Sequence, residues 1–145
     1  MTTYSRDEID AFIERHLGQA VPRPSSNLDI FDKFGVDGDD CFDFISEFGT
    51  TFKVDLTEYR WYFHHGEEMH NGVIFQIFFS PPNKRVSRIP VTTDLLLDAA
   101  NSGRWKLEYP EHALPTRRYD VIASWCFGLA LIVGIAALGV IRWSS

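Results

Sequence analysis

The chain has 145 residues, 45% hydrophobic and 14% aromatic with 12 phenylalanines, which supplies one core and excludes a largely disordered chain. Its formal net charge is -6, and residues 1–116 hold 11 Lys and Arg against 19 Asp and Glu, a balance of -8 that excludes a nucleic-acid binder and suits either a solvated acidic surface or a protein partner with a basic patch. The two cysteines, Cys41 beside an acidic run and Cys126 in an apolar tail, belong to different environments, which argues against a disulfide and for a reducing compartment.

Ser5 and Glu8 make a capping-box pair ahead of Ile9, Phe12, Ile13, His16 and Leu17, which recur on one helical face, and Gly18 is placed to end the run. The spacing predicts a helix over residues 5–17. VPRPSSN, residues 21–27, contains two prolines and two serines and predicts an extended connection, after which Leu28, Ile30, Phe31 and Phe34 are offered to the core. Over residues 39–52, Cys41, Phe42, Ile45, Phe48 and Phe52 form the predicted buried stripe of a second long helix, with Phe44 off its centre. Asp40, Asp43 and Glu47 step by three and four along the outside, and Asp39 adds to the same acidic side. Asp37, Asp39 and Asp40 also suit the helix dipole, at about 0.3–1 kcal/mol each where exposed.

RWYFHHGEEMHNGVIFQIFFSPPNKR, residues 60–85, is rich in aromatics and histidine, and its VIFQIFF has strand-like content ended by Pro81 and Pro82. An extended or short-strand insertion is predicted over about residues 59–88. Thr92, Thr93 and Asp94 then offer caps for LLLDAAN, a last short helix closed by Gly103.

Residues 121–141, VIASWCFGLALIVGIAALGVI, carry no charge and would make a helix of about 31 Å at ~1.5 Å per residue, a transmembrane span. Tyr119, Trp125 and Trp143 stand at its ends as interface residues, and Arg117, Arg118 and Arg142 bracket it. With Arg104 and Lys106 also ahead of the span, the basic residues predict a cytoplasmic N-terminal domain, and the acidic start shows no signal-peptide pattern. A tail-anchored, single-pass protein is the expectation. Ser124 with Gly128, and Ala130 with Gly134, have small-xxx-small spacing that would permit a homodimer through the span.

Catalytic and metal patterns are weak. An EF-hand loop begun at Asp37 fails, because Cys41 and Phe48 stand where oxygen ligands are needed. No phosphate-binding glycine motif occurs, and three aspartates would repel a phosphate. HHGEEMH offers His64, His65 and His70 as metal donors but matches no HExxH arrangement, so surface histidines of a loop, without metal, are expected. Cys41 lies on the apolar stripe and reads as a small core residue, not a nucleophile. No GxSxG elbow is present. The expectation is a non-enzyme without cofactor or metal.

The order helix, long loop, FGVDGDD at the head of a second amphipathic helix, then a last short helix resembles acyl carrier proteins, over about residues 5–103 with the segment 59–88 inserted. Phe34 to Asp40 match that family's leucine-glycine-x-aspartate-serine-leucine-aspartate, and with the late Gly103-Arg104-Trp105 the chain is similar to the bacterial carrier-like family called domain of unknown function 1493. The resemblance implies a mainly α fold: an acyl-carrier-like helical bundle (residues 1–116) with an aromatic-rich extended insertion, followed by a C-terminal membrane anchor (residues 117–145). It also implies a bacterial inner-membrane location. Gly38 stands at the carrier serine's position and has no hydroxyl to esterify phosphopantetheine, so the implied function is protein docking through Asp37, Asp39, Asp40, Asp43 and Glu47. Two alternatives accompany it: a carrier modified at another residue in a membrane lipid pathway, and a small membrane immunity or regulatory protein acting through its span.

Overall fold

The computed structural model describes residues 3–23, 27–67 and 79–144. Among them the regular elements are all helical: α1 (Arg6–Leu17), α2 (Ile30–Phe34), α3 (Gly38–Phe52), α4 (Thr93–Ser102) and α5 (Tyr119–Ser144), with short 3₁₀ turns at Trp61–Phe63 and Pro82–Lys84. The mainly helical class and the predicted helix positions therefore stand.

Capping chemistry sets where three of these helices begin. Ser5 takes the Glu8 N–H while the Glu8 carboxylate takes the Ser5 N–H at 2.8 Å, the reciprocal box read from the sequence. Asp29 accepts from Phe31 N–H at 3.1 Å to start α2, and Thr92 accepts from Leu95 N–H at 3.2 Å to start α4. Asp37 stands at the cap position of α3 but makes no side-chain cap there.

The buried face of α3 is Cys41, Phe44, Ile45, Phe48, Gly49 and Phe52. This corrects the predicted stripe at two phenylalanines. Phe44 is wholly buried and Phe42 is 41% exposed. Steps of three and four from Cys41 lead to Phe44, Ile45 and Phe48, whereas Phe42 is rotated about 100° away on a helix of 3.6 residues per turn. Phe42 packs sideways instead, edge-on to His65 at 4.8 Å.

Phe12 of α1 ties this face together, meeting Phe44 at 5.2 Å, Phe48 at 5.9 Å and Phe52 at 5.4 Å between ring centroids, all edge-to-face. The head of α1 is fastened to α4 by Asn101, which takes the Tyr4 N–H at 2.7 Å and returns its amide to the Tyr4 carbonyl at 3.1 Å. The Arg6–Asp94 ion pair lies on the same seam. At the far end of α4, Asp55 N–H reaches the Gly103 carbonyl and Trp105 N–H reaches the Asp55 carbonyl, both at 2.9 Å, which seats Trp105 in the core.

The insertion departs from its predicted extended form. Residues 59–67 coil through a 3₁₀ turn into a second aromatic cluster of Tyr59, Phe63, His64, Trp105 and Tyr109. No strand occurs among the described residues, and the predicted strand over residues 73–79 lies outside them except for Phe79. Over residues 59–67 the reason is burial: Tyr59, Phe63 and His64 pack around Trp105 and Tyr109, and their contacts favour a tight turn over an extended run.

Over Val121–Trp143 the last helix has a mean hydropathy of 2.4 with none of its most apolar stretch buried. Trp125 is 78% exposed, and the core draws nothing from α5. A helix apolar all round that contributes no side chain to the core cluster of the described residues is not built as a core helix. It is long and apolar enough to cross a membrane. Both cysteines are free, Cys41 buried and Cys126 exposed on α5.

Candidate functional site: an acidic groove and a buried histidine pair

Of the five carboxylates predicted to bind a partner, three converge. Asp40, Asp43 and Glu47 line a groove of about 710 Å³ whose apolar floor is Leu17, Phe34 and Val36 and whose far wall is His16. The helical spacing of the acids puts them along one edge, and the αL turn at Gly35 folds α2 back to supply the floor. His16 Nδ1 meets Glu47 Oε2 at 2.9 Å across the groove. Among the described residues, no basic side chain pairs with Asp39, Asp40 or Asp43. Asp39 is exposed but stands outside the groove. Asp37 is turned toward the insertion, where it accepts the Gly66 N–H at 2.6 Å.

The apolar floor and His16 were not singled out as site residues by the sequence. Helical spacing places Leu17 and Phe34 on core-facing stripes, and only the packing of α1 and α2 against α3 leaves their edges open to solvent.

His64 and His65 are both buried, contrary to their reading as surface histidines, though they do lie in irregular chain. For His64 both nitrogens are satisfied. Nδ1–H donates to the Ile89 carbonyl at 2.9 Å, and Nε2 takes the Tyr109 hydroxyl proton at 2.8 Å. The Tyr109 oxygen in turn accepts from Trp105 Nε1–H at 2.9 Å and Arg60 N–H at 3.1 Å. Burial pulls the His64 pKa down to about 4, with the Ile89 hydrogen bond opposing, so the ring is neutral. It is a structural residue.

His65 differs. Its Nδ1–H donates to the Gly66 carbonyl at 2.8 Å, and its buried Nε2 has no partner among the described residues. Burial again lowers its pKa. Donor atoms of Asp37, Cys41 and His65 all lie within 4.8 Å of one another. The Cys41 thiol is pushed up to about 12 by burial first and by the Asp37 charge second, the reverse of what an activated nucleophile needs. His70 lies outside the described residues.

At the membrane end, Arg118 forks onto Glu67 through contacts of 2.9 and 2.6 Å, so one of the predicted interface arginines also ties the chain entering α5 to the insertion. The Tyr119 ring lies against Phe79 at 6.2 Å, while Arg117, Arg142 and Trp143 are exposed. No protein-family model matches the chain, and no curated protein or solved structure shows significant similarity to it.

Proposed function

We propose that this chain is a single-span membrane protein whose carrier-shaped domain docks a basic, amphipathic protein segment in the groove beside α3. The observation that carries the reading is the pairing of an apolar floor, Leu17, Phe34 and Val36, with a rim containing the unpaired carboxylates of Asp40 and Asp43. Such a surface complements a helix or strand with alternating apolar and basic side chains: the floor supplies affinity, the rim supplies orientation and encounter rate. The order of helices and the place of Gly38 at the head of α3 support carrier descent without carrier chemistry. Basic residues ahead of the span, Arg104, Lys106, Arg117 and Arg118 against Arg142 beyond it, support a domain on the cytoplasmic side of a bacterial inner membrane.

The test uses the full chain in detergent micelles and a fluorescent amphipathic peptide rich in Lys and Arg. Binding should weaken steeply with salt, and the pair Asp40→Lys and Asp43→Lys should lose about tenfold in affinity with a flatter salt slope. An unchanged affinity and slope would remove the groove from consideration. A mass gain after incubation with a phosphopantetheinyl transferase would instead favour a carrier.

A further inference from the structure

We propose that Asp37, Cys41 and His65 form a metal site for a borderline divalent ion, zinc being the best fit to one carboxylate oxygen, one thiolate and one imidazole nitrogen. The reading stands on this geometry alone and does not depend on the docking groove.

Asp37 is the extended residue just before α3 and Cys41 lies in the helix's first turn, so the head of α3 brings their donor atoms together. His65 arrives from the 3₁₀ turn of the insertion and closes the set, with the three donor atoms within 4.8 Å of one another. Ligands of a tetrahedral zinc stand about 3.3–3.6 Å apart, given bonds of about 2.0–2.3 Å. Small side-chain rotations therefore complete the site.

Gly66 orients two of the three ligands. Its carbonyl takes His65 Nδ1–H at 2.8 Å, which fixes the tautomer and leaves the lone pair on Nε2. Its own N–H holds Asp37 Oδ1 at 2.6 Å. This is the supporting shell that metal-bound histidines and carboxylates use. Any larger residue would disturb it, because a Cβ on Gly66 would meet Asp37 Oδ2 at 3.0 Å.

The independent sign of a ligand is the unpartnered Nε2 atom of His65. The residue is only 3% exposed, yet this nitrogen has no partner among the described residues. An unsatisfied polar atom in a buried setting is destabilising and rare. Close by, the Asn83 amide nitrogen lies 3.5 Å from the same Cβ position, and its Oδ1 is also buried without a partner among the described residues. The exposure of Asp37 gives an ion its entry and leaves a fourth position open to water. Cys41 binds as the thiolate, its proton passing to solvent.

The full chain, purified in detergent and stripped with chelator, is titrated with cobalt(II) as the spectroscopic probe and then with zinc against it. One equivalent should produce a thiolate-to-cobalt charge-transfer band that zinc bleaches. Cys41→Ala should remove the band, and Asp37→Asn should weaken cobalt binding at least tenfold, with circular dichroism confirming that each variant is folded. His70→Ala should change neither. Absence of a saturable band in the wild-type chain overturns the site, as does a band that survives in folded Cys41→Ala or is lost in His70→Ala.

Discussion

The Tyr109 hydroxyl donates to His64 Nε2 at 2.8 Å while accepting two N–H groups, so one phenol oxygen completes the hydrogen bonding of a buried imidazole and a buried indole. Tyr109→Phe would strand His64 Nε2 and Trp105 Nε1 together; water can serve Arg60, which is exposed. At about 1–3 kcal/mol for each buried group left unpaired, the variant should lose roughly 2–4 kcal/mol in urea unfolding. A loss below 0.5 kcal/mol, on the order of a neutral surface change, would mean that the network does not hold the insertion in place.

The same network makes the fold acid-sensitive. His64 has a folded pKa of about 4 against an ordinary 6.5, so the unfolded chain binds the extra proton as pH falls. Stability is therefore intact above pH 6.5, declines through the interval and levels off below about 4, by roughly 3 kcal/mol in total. The lowered pKa of His65 acts in the same direction. Urea midpoints in chelator at either end of this window should show the decline, and His64→Asn should show distinctly less of it. Equal slopes for the two proteins would assign the acid sensitivity to carboxylates.

Lys53 closes α3 in the left-handed region at φ 55°, the one non-glycine among the described residues to do so. A side chain there costs about 1–2 kcal/mol, part of which is regained by glycine's greater freedom in the unfolded chain. Lys53→Gly should raise stability by about 0.5–1 kcal/mol, read as a higher thermal midpoint. A lower midpoint would show that the Lys53 side chain contributes something the backbone conformation conceals.

Local chemistry made the helices legible: a capping box at Ser5 and Glu8, and a glycine after each of α1 and α4, are signals within a few residues of what they control. The stripe of α3 was legible in period but not in phase, because Phe42 and Phe44 are equally apolar and only the position of Phe12 decides which one is covered. The histidines were harder. His64 and His65 are identical in composition and adjacent in sequence, yet one is saturated by Tyr109 and Ile89 and the other faces Cys41, 24 residues earlier. Contacts across that separation depend on how the insertion folds back, which no local period encodes. The acidic edge of the groove could be read from the α3 sequence; its floor needed three helices in place.

Gly38 bears on the carrier question through its backbone. It opens α3 at φ 56°, within the left-handed region, and is buried. Restoring a hydroxyl by Gly38→Ser would therefore force a Cβ into a conformation costing about 1–2 kcal/mol. The variant should be less stable by about that amount and should gain no mass with coenzyme A and a phosphopantetheinyl transferase. Efficient modification of a fully stable Gly38→Ser chain would mean that the position retains carrier geometry, and the docking reading would lose its main contrast.

The last helix can be separated from the fold by the same accounting. The core cluster and the residues packed on it run from Tyr4 to Tyr109, and the ties described between the chain at the start of α5 and the insertion are the Arg118–Glu67 fork and the Phe79–Tyr119 ring contact. Arg118 and Glu67 are both about one-third exposed, so their pair is worth at most about 1 kcal/mol. A chain ending at Arg118 should thus remain folded and soluble, with nearly the same urea midpoint. The full chain should instead sediment with membranes and resist alkaline extraction, because the apolar surface exposed from Trp125 to Trp143 is as large as a membrane span presents to hydrocarbon. If truncation unfolded the domain, or if alkali released the full chain, α5 would be a packing element awaiting a protein partner and not a span.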